Sequence, residues 1–108
     1  MAWHDTLQGM LGPTTESLDQ PDAIPYFAWD LGKTVQELRA ILDGDDREAR
    51  DEVLVRLLRE ANSRDVWMFA DWTSIEEAWP RIAHRLGRAR AVWELMRRRR
   101  AEVQARGA

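Results

Sequence analysis

Tryptophan residues recur through a long stretch of helix-like periodicity, and this pattern constrains the fold more than any other feature. The stretch covers residues 34–103 and contains Trp67, Trp72, Trp79 and Trp93, with helix start and stop signals between them. Six Trp and no Cys in 108 residues indicate a core built from large aromatic side chains, since each Trp can bury roughly 200 Å². We therefore predict an all-α chain, a compact bundle of about five short-to-medium helices with an N-terminal arm.

The composition excludes several classes of protein. Charged residues make up 32% of the chain and hydrophobic residues 44%, a balance typical of soluble globular domains. A sequence without Cys has no disulfide framework, thiolate zinc site or Cys nucleophile. No apolar run approaches the ~18–20 residues of a membrane span, and the first residues lack the charged head of a signal peptide. We expect a cytoplasmic protein without membrane association.

The charges are distributed unevenly along the chain. Ten acidic and four basic residues precede residue 51, whereas nine Arg and only two Glu follow residue 80. Such a polarised chain can orient a partner or a second copy of itself, and its basic end can meet an acidic surface or nucleic acid. An Arg-rich helix surface without a binding role explains the same pattern equally well.

The N-terminal segment has the pattern of a short amphipathic helix. Trp3, Leu7, Met10 and Leu11 fall at i, i+4, i+7 and i+8, the spacing of one helix face. The Gly-Pro pair that follows is predicted to end this helix.

The next residues predict an irregular linker, since residues 14–25 are polar and contain two prolines. We therefore divide the chain into an N-terminal amphipathic segment with a polar linker (residues 1–24) and a helical domain (residues 25–106). Three aromatic residues, Tyr26, Phe27 and Trp29, then stand close together without a clear secondary-structure pattern.

Capping signals mark the first two helices of the domain. Thr34 and Glu37 have the spacing of a capping box, in which each side chain satisfies a backbone amide at the helix start. A glycine is predicted to end this helix at residues 43–44. The pair Asp45-Asp46 then supplies the cap of a second helix that runs to about Asn62.

The second half of the domain predicts shorter helices. Residues 66–70 are all apolar and indicate a short helix that is buried on most sides. A second capping box is predicted to open a helix at Thr73. That helix should end at Trp79, because a residue before proline is disfavoured in helical geometry, and a short helix should follow over residues 80–86. Gly87 should end it before a last, Arg-rich helix.

The residues on these periodic stripes predict the hydrophobic core. They are Leu38, Ile41, Leu42, Val53, Leu54, Leu57, Leu58, Val66, Trp67, Phe69, Ile75, Trp79, Ile82, Leu86, Val92, Trp93 and Met96. We further expect Trp79 and Trp93 to pack in one aromatic layer.

The titratable residues do not form a recognisable active site. His4 and His84 lie far apart in the sequence, and His84 has no acidic residue at helical spacing. Asp43, Asp45 and Asp46 miss the spacing of a calcium loop and are explained by helix capping. Gly-rich phosphate loops and hydrolase or metalloprotease motifs are absent from the sequence. We therefore expect no enzyme activity, no cofactor and no metal site.

Six short motifs, taken together, carry a resemblance to a known group of proteins. They are YFAWD at 26–30, TVQEL at 34–38, LLREA at 57–61, DVW at 65–67, WP at 79–80 and RLGRAR at 85–90, followed by Trp93. Across residues 25–96 the chain resembles small uncharacterised helical bacterial proteins that are often encoded beside nucleotidyltransferase-type abortive-infection toxins. The resemblance implies an accessory or antitoxin-like role and carries over no catalytic residues.

The leading hypothesis is a non-catalytic protein-interaction module that binds a protein partner or itself through the N-terminal arm. Aromatic side chains are common interface anchors, and a short helix laid in a groove is a familiar recognition mode. The candidate contact residues are Trp3, Leu7, Met10, Leu11, Tyr26, Phe27 and Trp29. The alternative is that both segments fold back and complete the chain's own core.

A second hypothesis is a sequence-tolerant nucleic-acid-binding helical protein that uses the Arg-rich C-terminal helices. Its phosphate contacts would come from Arg88, Arg90, Arg97 and Arg98. The run at residues 97–100 sweeps about 300° of a helix and does not form one stripe. A solvated helix end, with Arg90 and Arg98 spaced to pair with Glu94, is the simpler interpretation.

Overall fold

The structure, a computed structural model, describes residues 18–107. Within that range the chain forms five α-helices and two 3-10 helices, without any strand. The α-helices are α1 (Val35–Asp43), α2 (Arg47–Glu60), α3 (Ser63–Val66), α4 (Trp72–Ile82) and α5 (Ala89–Gly107), and the 3-10 helices cover Tyr26–Leu31 and Ala83–Arg85. The predicted all-α bundle is confirmed.

Local side-chain caps set the starts of α1 and α2, as predicted. The backbone N–H of Glu37 donates to Thr34 Oγ1 at 3.2 Å, and the backbone N–H of Thr34 donates to Glu37 Oε1 at 2.8 Å. The Ala49 N–H donates to Asp46 Oδ1 at 3.1 Å at the start of α2. Both caps satisfy amides that have no partner inside the helix.

Helix α4 begins two residues before its predicted start. Its N-cap is Asp71, whose carboxylate accepts a hydrogen bond from the Ser74 N–H at 2.8 Å, so the capping box predicted at Thr73 is wrong. Asp is at least as good a cap as Thr. The earlier start also brings Trp72 into the helix, where its ring packs against those of Trp67 and Trp93.

The predicted end of this helix at Trp79 is also wrong, because α4 continues through Pro80 to Ile82. Proline inside a helix costs ~3 kcal/mol or more. Trp79 and Ile82 on either side are buried, and burying one such side chain contributes about 1.5–3 kcal/mol, which offsets this cost. The separate helix predicted over residues 80–86 is therefore replaced by the end of α4 and the 3-10 helix Ala83–Arg85.

A left-handed glycine makes the turn into α5. Gly87 has a φ of 56°, a conformation that residues with a side chain rarely adopt. The fixed joint predicted at this glycine is confirmed, whereas the joint predicted at Pro80 is not.

The core surrounds α2, which packs against α1, α3, α4, α5 and the first 3-10 helix. Most predicted core residues are buried: Leu38, Val53, Leu54, Leu57, Leu58, Val66, Ile75, Trp79, Ile82, Leu86 and Trp93. Ile41, Leu42, Phe69 and Met96 are half-buried against this core.

Two predicted core residues are exposed, Trp67 at 41% and Val92 at 56%. The helix predicted over residues 66–70 is wrong, since α3 ends at Val66 and the following residues form a turn. Trp67 therefore lies at a helix end with one ring face open. Val92 is exposed because α5 buries only Trp93 fully in the core.

The residues before the first 3-10 helix are irregular, as predicted, yet they contact the helical domain. Leu18 and Pro25 are fully buried. The N–H of Val35 donates to the Ala23 carbonyl at 2.8 Å at the start of α1. This described part of the predicted linker thus belongs to the packed domain, and the boundary placed at residue 24 stays a prediction.

Candidate functional site

The described chain has a groove of about 710 Å³ on its surface. It lies between the end of α1, the middle of α2, the turn that follows α3 and the first turns of α4. Its apolar lining consists of Leu42, Leu54, Trp67, Met68 and Phe69. We call it the α1–α4 groove.

The aromatic side chains of the α1–α4 groove are held firmly although they are accessible. The ring centroid of Trp67 lies 5.2 Å from that of Trp72 and 5.9 Å from that of Trp93. The ring of Phe69 packs edge-on against Phe27 at 5.3 Å. Trp67 thus keeps 41% of its surface exposed in a fixed orientation. Met68 beside it is 36% exposed.

This tryptophan cluster corrects the predicted aromatic layer. Trp93 packs with Trp67 and Trp72, whereas the ring of Trp79 lies 4.4 Å from the guanidinium carbon of Arg97. Trp79 and Trp93 therefore pack against different residues and do not form one layer.

An ionic network joins α2 to α4 at the floor of the groove. Arg81 Nε donates to Asp51 Oδ2 at 2.8 Å, and Arg81 Nη2 donates to Glu77 Oε2 at 2.9 Å. These hydrogen bonds raise the pKa of Arg81 and lower that of Glu77. Asp51 is only 8% exposed, so its charge is satisfied within the chain by this guanidinium.

The lining of the groove is predominantly acidic. Asp43, Asp71 and Glu77 are exposed carboxylates, and Arg50 is the cation of the lining. The hydrogen bond from the Ser74 backbone lowers the pKa of Asp71, so this carboxylate is ionised at neutral pH. The groove therefore combines an apolar floor with a negative edge.

The structure places two of the predicted contact residues inside the domain. Phe27 is 3% exposed and belongs to the core. The hydroxyl of Tyr26 donates to Asp65 Oδ2 at 2.5 Å and accepts the Asn62 N–H at 2.8 Å. Burial, followed by the hydrogen bond to Asp65, raises the pKa of Tyr26 to about 12. Phe27 thus completes the packing of its own chain, and Tyr26 is half-buried and hydrogen-bonded within it, while a partner contact at Tyr26 stays a prediction.

The other predicted contact residues cannot be placed. Trp3, Leu7, Met10 and Leu11 lie outside the described residues, as does the side chain of Trp29.

Remote side chains complete the C-terminal end of α2. Trp93 Nε1 donates to the Leu58 carbonyl at 2.9 Å, and the Tyr26 hydroxyl accepts the Asn62 N–H. Carbonyls in the last turn of a helix lack partners inside that helix. The C-terminal end of α2 is therefore stabilised by hydrogen bonds with residues of the first 3-10 helix and of α5.

The four arginines of the nucleic-acid hypothesis are not equivalent. Arg90 Nε donates to Glu94 Oε2 at 3.2 Å, the pairing that the sequence predicts. Arg97 lies seven residues further along α5, on the same side as Arg90, and its Nε donates to Glu76 Oε1 at 2.5 Å. This bond raises the pKa of Arg97 and lowers that of Glu76.

The remaining two arginines, Arg88 and Arg98, are exposed. Arg100 lies against the core edge, with its guanidinium carbon 5.3 Å from the centre of the Trp72 ring. A continuous row of phosphate-facing arginines is therefore not assembled on the described surface.

Every buried side-chain nitrogen and oxygen of the described residues has a hydrogen-bond partner. Across residues 18–107, no three His, Asp or Glu side chains gather closely enough to hold a metal ion. None of the helices in that range is both long and apolar enough to cross a membrane.

Sequence reasoning did not identify this groove. The available signal was the apolar run at residues 66–70, which follows a helix break and is too short to bury every side chain. No family model matches the chain, and comparisons with curated proteins and with solved structures find no match either.

Proposed function

We propose that the chain is a non-catalytic, antitoxin-like protein-interaction module. In this proposal it binds a basic amphipathic helix of a toxin-type protein partner in the α1–α4 groove. The observation that carries the proposal is the pair Trp67 and Met68, exposed at 41% and 36% beside an acid-edged apolar floor.

The residue types of the groove favour a protein ligand. Trp is enriched among the side chains that dominate binding energies at interfaces, and Met is enriched at interfaces generally. Trp67 is held by two neighbouring indoles, so little side-chain freedom is lost on binding. Such preorganisation increases affinity. A groove lined by residues of several helices can receive the apolar face of another helix.

The charge of the groove selects the kind of helix. Asp43 and Asp71 favour a ligand that carries Lys or Arg beside its apolar stripe. The last carbonyls of α1, next to Asp43, add partial negative charge at the same place. Because the carboxylates are exposed, this attraction should weaken as salt screens it.

The antitoxin-like role draws on the sequence resemblance to proteins encoded beside toxins. In that role the chain would act by occupying its partner, without changing it covalently. We infer a cytoplasmic location, which the cysteine-free composition supports. Self-association or partner binding through the N-terminal arm, residues 1–24, stays a prediction.

Nucleic-acid binding is the weaker candidate. Arg90 and Arg97 are already paired with Glu94 and Glu76, which leaves Arg88 and Arg98 as exposed candidates for phosphate contacts. Binding through several phosphates would fall steeply with salt.

The test uses two synthetic amphipathic helices of about 18 residues, five turns, with the same leucine stripe. One carries Lys and the other Glu on its polar face. Calorimetric titration of the full chain should show binding of the Lys peptide and none of the Glu peptide. Met68→Lys should weaken binding at least tenfold, since it places a cation beside the apolar contact.

Leu31→Lys is the matched control, because Leu31 is 40% exposed and lies outside the groove lining. It should bind the Lys peptide with unchanged affinity. If neither peptide binds, or if the two lysine variants behave alike, the α1–α4 groove is not the binding site.

A further inference from the structure

Helix α5 carries an apolar stripe that this chain leaves uncovered. Val92, Leu95 and Val103 are 56%, 45% and 64% exposed. Successive residues of a helix are 100° apart, so Leu95 points roughly 160° away from the buried Trp93. Residues 101–107 are exposed throughout, although they are helical. Residues 101–107 thus project beyond the packed part of the chain.

The C-terminal half of α5 is strongly basic. Arg98 and Arg99 are exposed. Arg99 lies between Leu95 and Val103 on the same helix face, and Arg98 lies about 60° to one side of Leu95. Residues 97–107 contain five arginines and a single acidic residue, Glu102. An apolar stripe beside arginines is the ligand chemistry that the α1–α4 groove favours.

Leu95, Arg99 and Val103 are spaced at i, i+4 and i+8, which covers about 12 Å of helix. A groove of about 710 Å³ is large enough to receive such a short helical face, since pockets of ≈ 300–1,000 Å³ hold drug-sized ligands.

The C-terminal half of α5 does not reach the groove of its own chain. Contacts of Arg97 with Glu76 and of Arg100 with Trp72 align α5 along one side of α4. The groove opens on the side of α4 that bears Thr73 and Glu77. At 100° per residue, Thr73 lies about 100° around the helix from Trp72. A straight α5 therefore runs past its own groove on a different side of α4.

We propose that the α1–α4 groove receives the C-terminal half of α5 from a second copy of this chain. The proposal rests on the proposed function, because it names the basic helix that the groove binds. Each copy carries one groove and one helix end, so two copies can satisfy each other reciprocally in a closed pair. Asp43 and Asp71 of one copy then face Arg98 and Arg99 of the other.

Sedimentation and light scattering of the full chain over a range of concentrations test the association. The mass should rise from the monomer value of 12.6 kDa towards twice that value, and high salt should return the monomer. Val103→Asp and Met68→Lys should each give monomers, since one change spoils the helix end and the other spoils the groove. Leu31→Asp, at an exposed site outside both surfaces, should leave the pair intact.

A mixture of the two defective variants provides the decisive comparison. The Val103→Asp chain keeps an intact groove, and the Met68→Lys chain keeps an intact helix end. Together they should form a mixed pair through the one intact contact, with weaker affinity than the unmodified pair. A general folding defect in either variant would prevent this recovery, and far-UV circular dichroism checks the fold of each variant alone.

The possible outcomes separate the two proposals. A chain that stays monomeric at every concentration overturns self-association, whichever ligand fills the groove. If that monomer still binds the synthetic Lys peptide, the proposed function stands without the second copy. Pairs that survive both Val103→Asp and Met68→Lys also overturn the inference, because they must form through another surface.

Discussion

Replacing Trp93 by alanine should destabilise the fold by about 3–5 kcal/mol. Trp93 is 3% exposed, and a tryptophan buries roughly 200 Å². At about 25 cal/mol per Å², that area gives an upper limit of about 5 kcal/mol. A compact unfolded chain lowers the area by roughly 10–40%. The expected loss agrees with the ~3–5 kcal/mol found when large buried aromatic sites are emptied.

Urea unfolding followed by far-UV circular dichroism measures this loss without relying on tryptophan fluorescence. Trp93→Phe removes the N–H that donates to the Leu58 carbonyl and keeps most of the ring contact, so it should cost about 1–3 kcal/mol. Trp67→Ala is the matched control in the same cluster, and its loss should be about 0.6 of that of Trp93→Ala, because Trp67 is 41% exposed and Trp93 only 3%. A loss below about 1 kcal/mol for Trp93→Ala, as at a surface site, would refute the burial of this indole.

Three further predictions concern titration, capping and backbone geometry. Tyr26 is the single tyrosine, so an absorbance titration should give its pKa of about 12 directly, and a midpoint at the usual 10.0 would contradict its burial. Because the folded chain holds this proton more tightly than the unfolded chain, stability should fall as pH rises between these two values. Asp46→Ala should cost ~1 kcal/mol in urea unfolding and Asp45→Ala less than about 0.5 kcal/mol; equal losses would mean that Asp46 is not the cap. Gly87→Ala should cost about 1–2 kcal/mol, because its φ is 56°, whereas Gly107→Ala should be neutral; a neutral Gly87→Ala would rule out the left-handed turn.

The caps could be predicted from the sequence because they depend on residues only three positions apart. Thr34 with Glu37, and Asp46, act within one helical turn, so tertiary packing does not need to be known. The buried stripe of α2 was predictable for a similar reason, because its apolar residues recur at the helical period and therefore lie on one face of the helix. The use of Asp71 rather than Thr73 as the N-cap of α4 could not be predicted. It depends on the packing of Trp72 against Trp67 and Trp93, which favours the earlier helix start.

The binding surface was less predictable than the helices. Phe27 and Trp67 are both aromatic residues in short apolar runs, yet the first is buried and the second is exposed. Their exposure depends on how α2, α4 and α5 pack against one another. That packing is set by contacts between residues that are far apart in the sequence. Periodicity reports that a side chain is apolar, but it does not report whether another element of the same chain arrives to cover it.

The end of α2 has a consequence for how the chain folds. The two residues that complete it come from opposite directions along the chain, Tyr26 at 36 positions from Asn62 and Trp93 at 35 positions from Leu58. Contacts within one helix join residues that are close in sequence and form quickly. Contacts between distant residues require loop closure and form slowly. The last turn of α2 should therefore become ordered late in folding, when the first 3-10 helix and α5 have both docked. The C-terminal end of α2 would then join the two halves of the chain into one cooperative folding unit, because residues from both halves complete it.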